Sequence, residues 1–326
     1  MSKKDRPLRQ EFKMSGIKLF LLTPKCQSFL VFCALVVPVN TVSAKEQDLI
    51  GELFLAETTY EDTLSDLARA YDQGYNEIRL ANPTVDPWLP GEGTEIVIPN
   101  QFVLPNAPKE GIVVNVPEMR LYHYFDNKEL KDGVVTYPVS IGRADWNTPE
   151  GQMTITAKAL DPTWYPPESI REEHAEAGDP LDRIVPAGPD NPLGRHAIRL
   201  SKDGYLIHGT NRPYGIGMRV THGCIRMYPK DVETVFETAP LGTGVTVVNQ
   251  PFKVGISNKY VYLEVHPPLE EDTRKYPDLY GFITGLVKQK AENYTVIDID
   301  KSEFWKVIAE KNGIPSVIGS VSGEKS

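Results

Sequence analysis

The chain has 326 residues, 40% apolar and 24% charged, enough for several segments with a real core and incompatible with a coiled coil, a collagen-like chain or a disordered one. Its formal charge of −9 hides an asymmetry: residues 1–44 carry a net +5 and the remainder −14. A body that acidic excludes nonspecific nucleic-acid binding and adhesion to anionic membranes, both of which need clustered cations.

The stretch from Phe29 to Val39 is apolar, follows Lys13, Lys18 and Lys25, and runs out into the small residues Val42-Ser43-Ala44. A membrane-spanning helix needs ~20 apolar residues, and this run is about half of that. A basic start, a short apolar run and a small-residue exit predict a secretory signal over 1–44, with Met14 as an alternative start. An uncleaved anchor is the competing reading. Cleavage removes Cys26 and Cys33 and leaves Cys224 as the only thiol, with no stable membrane span.

Residues 45–99 read as a small α+β unit. Leu64, Leu67, Ala68 and Tyr71 share one helical face behind Asp62 or Thr63 as cap, a second helix covers Tyr75 to Asn82, and Gly93 to Pro99 closes with a strand. Residues 100–110, with Pro105 and Pro108, read as a linker. From Gly111 the pattern becomes strands: Ile112–Val116, Met119–Phe125, Val134–Ile141, Gly151–Ala157, His196–Leu200, Tyr205–His208 and Val245–Val248, with one helix over Asp231–Thr238. Asp126-Asn127 and Lys131-Asp132-Gly133 supply hairpin turns. The proline-rich stretch 160–195, which contains Trp164, has little periodicity and reads as a lid or substrate loop. Residues 250–326 read as an α+β appendage with strands at 260–265 and 294–299 and helices at 277–289 and 301–311.

Chemistry concentrates between Ile207 and Met227. His208 ends a strand. Cys224 follows sixteen residues later, after the glycine-containing loop Tyr214-Gly215-Ile216-Gly217. A thiolate is the useful nucleophile, and a nearby imidazole takes its proton. His222 precedes Cys224 by two residues, so an extended backbone puts both on one face. Gly223 permits close approach of a substrate carbonyl, and the N–H groups of Gly223 and Cys224 are candidate oxyanion donors. Arg226 suits a substrate carboxylate. Three competing readings use the same residues: zinc ligation by His208, His222 and Cys224 without a fourth ligand at suitable spacing, dinucleotide binding through Gly215-Ile216-Gly217 without the third glycine, and a purely structural role. His123, His174 and His266 are expected at the surface or in loops.

The runs Tyr137-Pro-Val-Ser-Ile-Gly142, Thr148-Pro-Glu-Gly151, Asn191-Pro-Leu-Gly194 and Ile207 to Tyr228 resemble the YkuD-type L,D-transpeptidase catalytic domain of the ErfK/YbiS/YcfS/YnhG branch, over 111–249. Thr221 stands where that family usually has serine. Asp62-Thr63-Leu64, Leu67-Ala68, Asn82-Pro83 and Ile96–Pro99 resemble a LysM module, with Tyr60-Glu61 in place of the usual Pro-Gly. The resemblance implies a mainly β, sandwich-like catalytic domain with a short helix, flanked by the LysM-like module and the appendage. It implies a periplasmic enzyme without metal or organic cofactor. Its Cys224 attacks the diaminopimelate–D-Ala bond of a peptidoglycan stem tetrapeptide, with His208 as base and the Gly209 carbonyl orienting the imidazole. His222 supports the nucleophile or the substrate, and Arg226, Tyr214 and Trp164 bind the donor. The favoured acceptor is the C-terminal lysine of an outer-membrane lipoprotein. A second stem, giving a 3→3 cross-link, is the alternative acceptor. A non-catalytic wall-binding protein and a papain-like hydrolase are the other function classes; the latter places its cysteine before its histidine, the reverse of the order here.

Overall fold

The computed structural model describes residues 48–125 and 133–325. The expected signal segment and the expected turn at 126–132 lie outside the described residues. The chain opens with β1 (Leu49–Gly51) and β2 (Phe54–Glu57), then α1 (Leu64–Ala70), α2 (Tyr75–Ala81), β3 (Glu95–Ile98) and β4 (Gln101–Val103). Helix α1 starts where a capping box allows it: the Thr63 hydroxyl accepts from the Asp66 N–H, and the Asp66 carboxylate reaches back to Thr63. Leu64, Leu67, Ala68 and Ile78 pack on Ile96 and Ile98 of the β2–β3 pair, a core of its own. The stretch expected as a linker is structured. There β4 pairs with β1, and Phe102, Val103 and Leu104 are buried.

Nine strands follow in the next segment: β5 (Ile112–Asn115), β6 (Arg120–Phe125), β7 (Gly133–Gly142), β8 (Gly151–Leu160), β9 (His196–Leu200), β10 (Leu206–His208), β11 (Arg219–Thr221), β12 (Ile225–Met227) and β13 (Gly244–Val248). Two helices interrupt them, α3 (Glu168–Glu176) and α4 (Pro229–Thr238). The sheet runs β11-β7-β12-β10-β9-β8-β13-β5-β6 and closes on itself because β6 also pairs with β7. The ten residues of β7 make this possible. Its first half pairs with β6, and its last residues pair with β12 and β11. Inside this barrel-like sandwich lie Ile112, Val114, Leu121, Val139, Ile141, Ile198, Ile207, Ile225, Met227 and Val245, with Val232 and Val235 of α4. Full burial of each such side chain contributes about 1.5–3 kcal/mol.

The last segment is a four-stranded antiparallel sheet of β14 (Phe252–Ser257), β15 (Tyr260–Val265), β17 (Ser316–Glu324) and β16 (Tyr294–Ile299), covered by α5 (Leu279–Lys290) and α6 (Lys301–Glu310). Strands β14 and β17 were not anticipated.

Buried charges tie the segments together. Arg120 of β6 forms a two-pronged pair with Glu77 of α2, at 2.6 Å and 2.8 Å. Lys253 of β14 sits between Glu118 and Glu264, at 2.9 Å and 2.7 Å, and donates to the Val103 carbonyl at 2.7 Å. His266 joins the cluster through Glu264 at 2.6 Å. His123 is buried within β6, neither at the surface nor in a loop as expected, while His266 does lie in a loop, after β15, but is buried. Among the described residues no helix is long and apolar enough to cross a membrane.

Candidate active site

Parallel strands β10 and β12 carry the central pair. Their register sets Ile207 beside Ile225 and His208 beside Arg226. Both isoleucines point into the core, so His208 and Arg226 share the opposite face. Cys224 immediately precedes β12, and its half-buried thiol lies 3.7 Å from the Gly204 carbonyl.

The His208 ring is 4% exposed, and its Nδ1 lies 2.7 Å from the Gly209 carbonyl. A carbonyl only accepts, so Nδ1 carries the proton and Nε2 keeps its lone pair. Burial, reinforced by the Arg226 charge and opposed by the Gly209 carbonyl, pushes the His208 pKa down to about 3. Burial pushes the Cys224 thiol up, against the Leu206 N–H and the Arg226 charge, which pull it down. The resting state is thus a neutral thiol beside a neutral imidazole, with a base ready to accept. Arg226 is itself lowered by burial, and its Nε has no hydrogen-bond partner among the described residues. A buried cation with an unused donor beside a nucleophile is a receptor for negative charge.

The backbone before Cys224 turns instead of running extended, so the same-face condition for His222 and Cys224 is not met. Gly223 has φ +98°, and a Cβ there would meet the Tyr205 ring at 2.8 Å. The Thr221 hydroxyl closes the turn: it accepts from the Gly223 N–H at 3.2 Å and donates to the Cys224 carbonyl at 2.6 Å. Thr148 braces it from the other side, donating to the Gly223 carbonyl at 2.9 Å and accepting from the Gly142 N–H at 2.9 Å. The candidate oxyanion donor on Gly223 is thereby engaged by Thr221.

His222, two residues before Cys224, is directed to α3. Its Nε2 lies 3.1 Å from Glu173 of α3, and its ring meets the edge of Trp146 at 5.1 Å between centroids. Burial lowers His222, with Glu173 opposing. Arg143 pairs with the same Glu173 oxygen, and His174 lies 6.4 Å from His222 between ring centroids. None of Arg143, Trp146 or Glu173 was found from sequence. The start signal for α3 was present in Pro167-Glu168, but the surrounding prolines hid it.

The remaining expected residues sit apart from this centre. Trp164 is half-buried at the base of the insertion, bridged to Val185, where Asn191 also bonds the Pro162 and Pro186 carbonyls. Tyr214 is 56% exposed in a 3-10 turn, with the Arg69 guanidinium of α1 5.5 Å from its ring centre. His208, His222 and Cys224 do not gather their donor atoms at one point; the described residues that do are Glu118, Glu264 and His266, with Lys253 already between the two carboxylates.

Residues 109–248 match the YkuD family model, an L,D-transpeptidase catalytic domain. Over 258 residues the chain is 40% identical to probable L,D-transpeptidase YcfS of Escherichia coli K12, covering 78% of this chain and 79% of that protein. It is 36% identical over 289 residues to probable L,D-transpeptidase ErfK/SrfK of the same strain, covering 84% and 88%. Among solved structures, an L,D-transpeptidase from Mycobacterium smegmatis superposes with a TM-score of 0.34 at 19% identity over 46% of this chain and 62% of that one. That likeness is too loose to bear on the site.

Proposed function

The chain belongs to the YkuD family of L,D-transpeptidases, and on that premise we propose that it is a periplasmic cysteine transpeptidase that acts on peptidoglycan stem tetrapeptides. The observation that carries this reading is the oriented neutral base: His208 held by the Gly209 carbonyl at 2.7 Å, on the strand paired with the one that follows Cys224.

In this reading His208 Nε2 takes the thiol proton as Cys224 Sγ bonds to the carbonyl carbon between diaminopimelate and the terminal D-Ala. The carbonyl electrons move to oxygen, next to the Cys224 N–H and the buried Arg226 cation. Collapse breaks the C–N bond, and D-Ala leaves with the proton from His208. An acceptor amine then attacks the thioester, gives its proton to His208, and the thiol is restored. The Gly209 carbonyl stabilises the imidazolium formed in each half-reaction, much as an aspartate does in a serine triad. Thr221 and Thr148 fix the Gly223 turn, and His222 faces the substrate side. No metal or organic cofactor enters any step.

The β2-α1-α2-β3 unit supports a LysM-like module for the glycan, and the charged, apolar and small-residue run of 1–44 supports export. The favoured acceptor is the C-terminal lysine of an outer-membrane lipoprotein. A test adds that peptide to enzyme and disaccharide tetrapeptide. An adduct between stem and lysine peptide supports anchoring. A dimer of stems replaces it with 3→3 cross-linking, and binding without release of D-Ala leaves only a wall-binding protein.

A further inference from the structure

The cluster around His222 is not used by the proton transfers above. Arg143 follows the end of β7, and its N–H bonds the Thr221 carbonyl at 3.1 Å. The chain then turns tightly, with the Trp146 N–H on the Arg143 carbonyl at 2.9 Å. That turn rests against the nucleophile's turn: a Cβ on Gly223 would lie 3.3 Å from the Asn147 carbonyl oxygen and 3.5 Å from that of Trp146. Arg143, His222 and Trp146 therefore stand against the Gly223 turn that precedes Cys224, and Arg143 and His222 offer N–H donors around one point. A single carboxylate oxygen, Glu173 Oε2, occupies it, held by Arg143 and by His222 Nε2 at 3.1 Å.

The helix that supplies this carboxylate is lightly attached. Of the nine residues of α3 only Ile170 is buried. The Glu173 side chain is 37% exposed, and ion pairs at such exposure are weak and easily exchanged. The receptor, in contrast, is built on β7 and on the turn fixed by Thr221 and Thr148.

We infer that Arg143 and His222 form a subsite for a carboxylate of the donor stem peptide, and that Glu173 of α3 fills this subsite in the resting enzyme and yields to substrate. The inference rests on the transpeptidase reading for its ligand. Such a donor carries a terminal carboxylate on the D-Ala that leaves and another on the diaminopimelate side chain, and either has the chemistry of the Glu173 head group. The Arg143 guanidinium holds Glu173 down to about 2, against the penalty of partial burial, so the plug is ionised at any working pH.

The test measures binding of N-acetylated stem tetrapeptide to the full-length Cys224→Ala chain, where turnover cannot intrude. Adding Glu173→Gln is expected to tighten binding three- to tenfold, because the neutral amide competes poorly for the cation. Adding Arg143→Ala is expected to weaken it at least tenfold, with Arg143→Lys in between. Peptides amidated at the D-Ala end or on the diaminopimelate side chain identify the carboxylate, since the relevant one binds the parent and Arg143→Ala chains alike. Weaker binding with Glu173→Gln overturns the inference and makes Glu173 a structural latch. Indifference to Arg143→Ala also overturns it. D-Ala release by the chain with Cys224 intact is read separately. If the binding pattern holds and no D-Ala appears, the subsite stands and the transpeptidase reading falls.

Discussion

His208 shows how a single burial decides both chemistry and stability. Its folded pKa of about 3 lies below the ~6.5 of an unfolded chain. As pH falls from 6.5 toward 3 the unfolded state takes up a proton that the folded state refuses, so stability falls over that window and is unaffected above it. His123, pushed down to about 4 by burial and by Lys158, acts in the same direction. His208→Gln should flatten the decline of Tm between pH 6.5 and 4; an unchanged slope means His208 is protonated in the fold. Thr221 has the other decisive side chain. Its hydroxyl closes the Gly223 turn, and a serine hydroxyl can make the same two bonds, so Thr221→Ser should keep activity. Thr221→Val, which leaves the Gly223 N–H without its acceptor, should lower kcat about tenfold, read as D-Ala release. The proposed nucleophile Cys224 and base His208 rest on residue type and spacing, which the sequence carries directly. The direction of His222 was not legible there, because it depends on a positive φ at Gly223, where the Tyr205 ring, eighteen residues earlier in the chain but adjacent in space, leaves no room for a side chain.

At the level of elements, strands with alternating or continuous apolar runs were readable nearly to their ends, as β9 and β15 show. The short strands β11 and β12 were not, since they lie among the glycines and polar residues of the His208-to-Cys224 loop and the turn after it. Helix α2 starts at Tyr75 as the sequence suggested and ends at Ala81, but its contacts could not be read from the sequence. Its first N–H groups, of Tyr75 and Asn76, bond the Ile216 and Gly217 carbonyls at 2.9 Å and 3.3 Å. The loop that joins His208 to Cys224 is therefore seated on the N-terminal module. Tyr228 adds a bond to the Gln73 carbonyl at 3.1 Å. Gly217 has φ +84°, and a Cβ would lie 2.4 Å from Gly74 Cα and 2.5 Å from the Tyr75 nitrogen. Gly217→Ala should cost about 2 kcal/mol or more and depress D-Ala release. Gly215→Ala, where a Cβ meets nothing within 4 Å, should change neither. Equal effects in urea unfolding and turnover would detach the module from the site.

Across the whole molecule, what composition concealed is the charge at the junctions. The sequence divides plausibly at about 100 and 250, but Arg120–Glu77 and the Glu118–Lys253–Glu264–His266 group join what the pattern separates. The pairs that cross the divisions leave no local signature, because Glu77 and Arg120 lie 43 residues apart and Glu118 and Lys253 lie 135 apart, and only the fold brings them together. Removing one partner strands the other in a dry interior at about 3–5 kcal/mol. Lys253→Met should therefore lower Tm sharply and uncouple the C-terminal sheet, giving two unfolding transitions where the parent shows one by calorimetry. A single, unshifted transition would mean that the cluster contributes nothing to docking.

The central claim is that Cys224 is acylated by a stem tetrapeptide with His208 as its base. The most direct measurement is the intact mass of the protein after brief exposure to the disaccharide tetrapeptide, with D-Ala followed in parallel. The account predicts a covalent adduct of the donor less D-Ala, mapped to Cys224, absent in Cys224→Ala and strongly diminished in His208→Gln. An unmodified mass with no D-Ala, from folded protein with a reduced thiol, would contradict it.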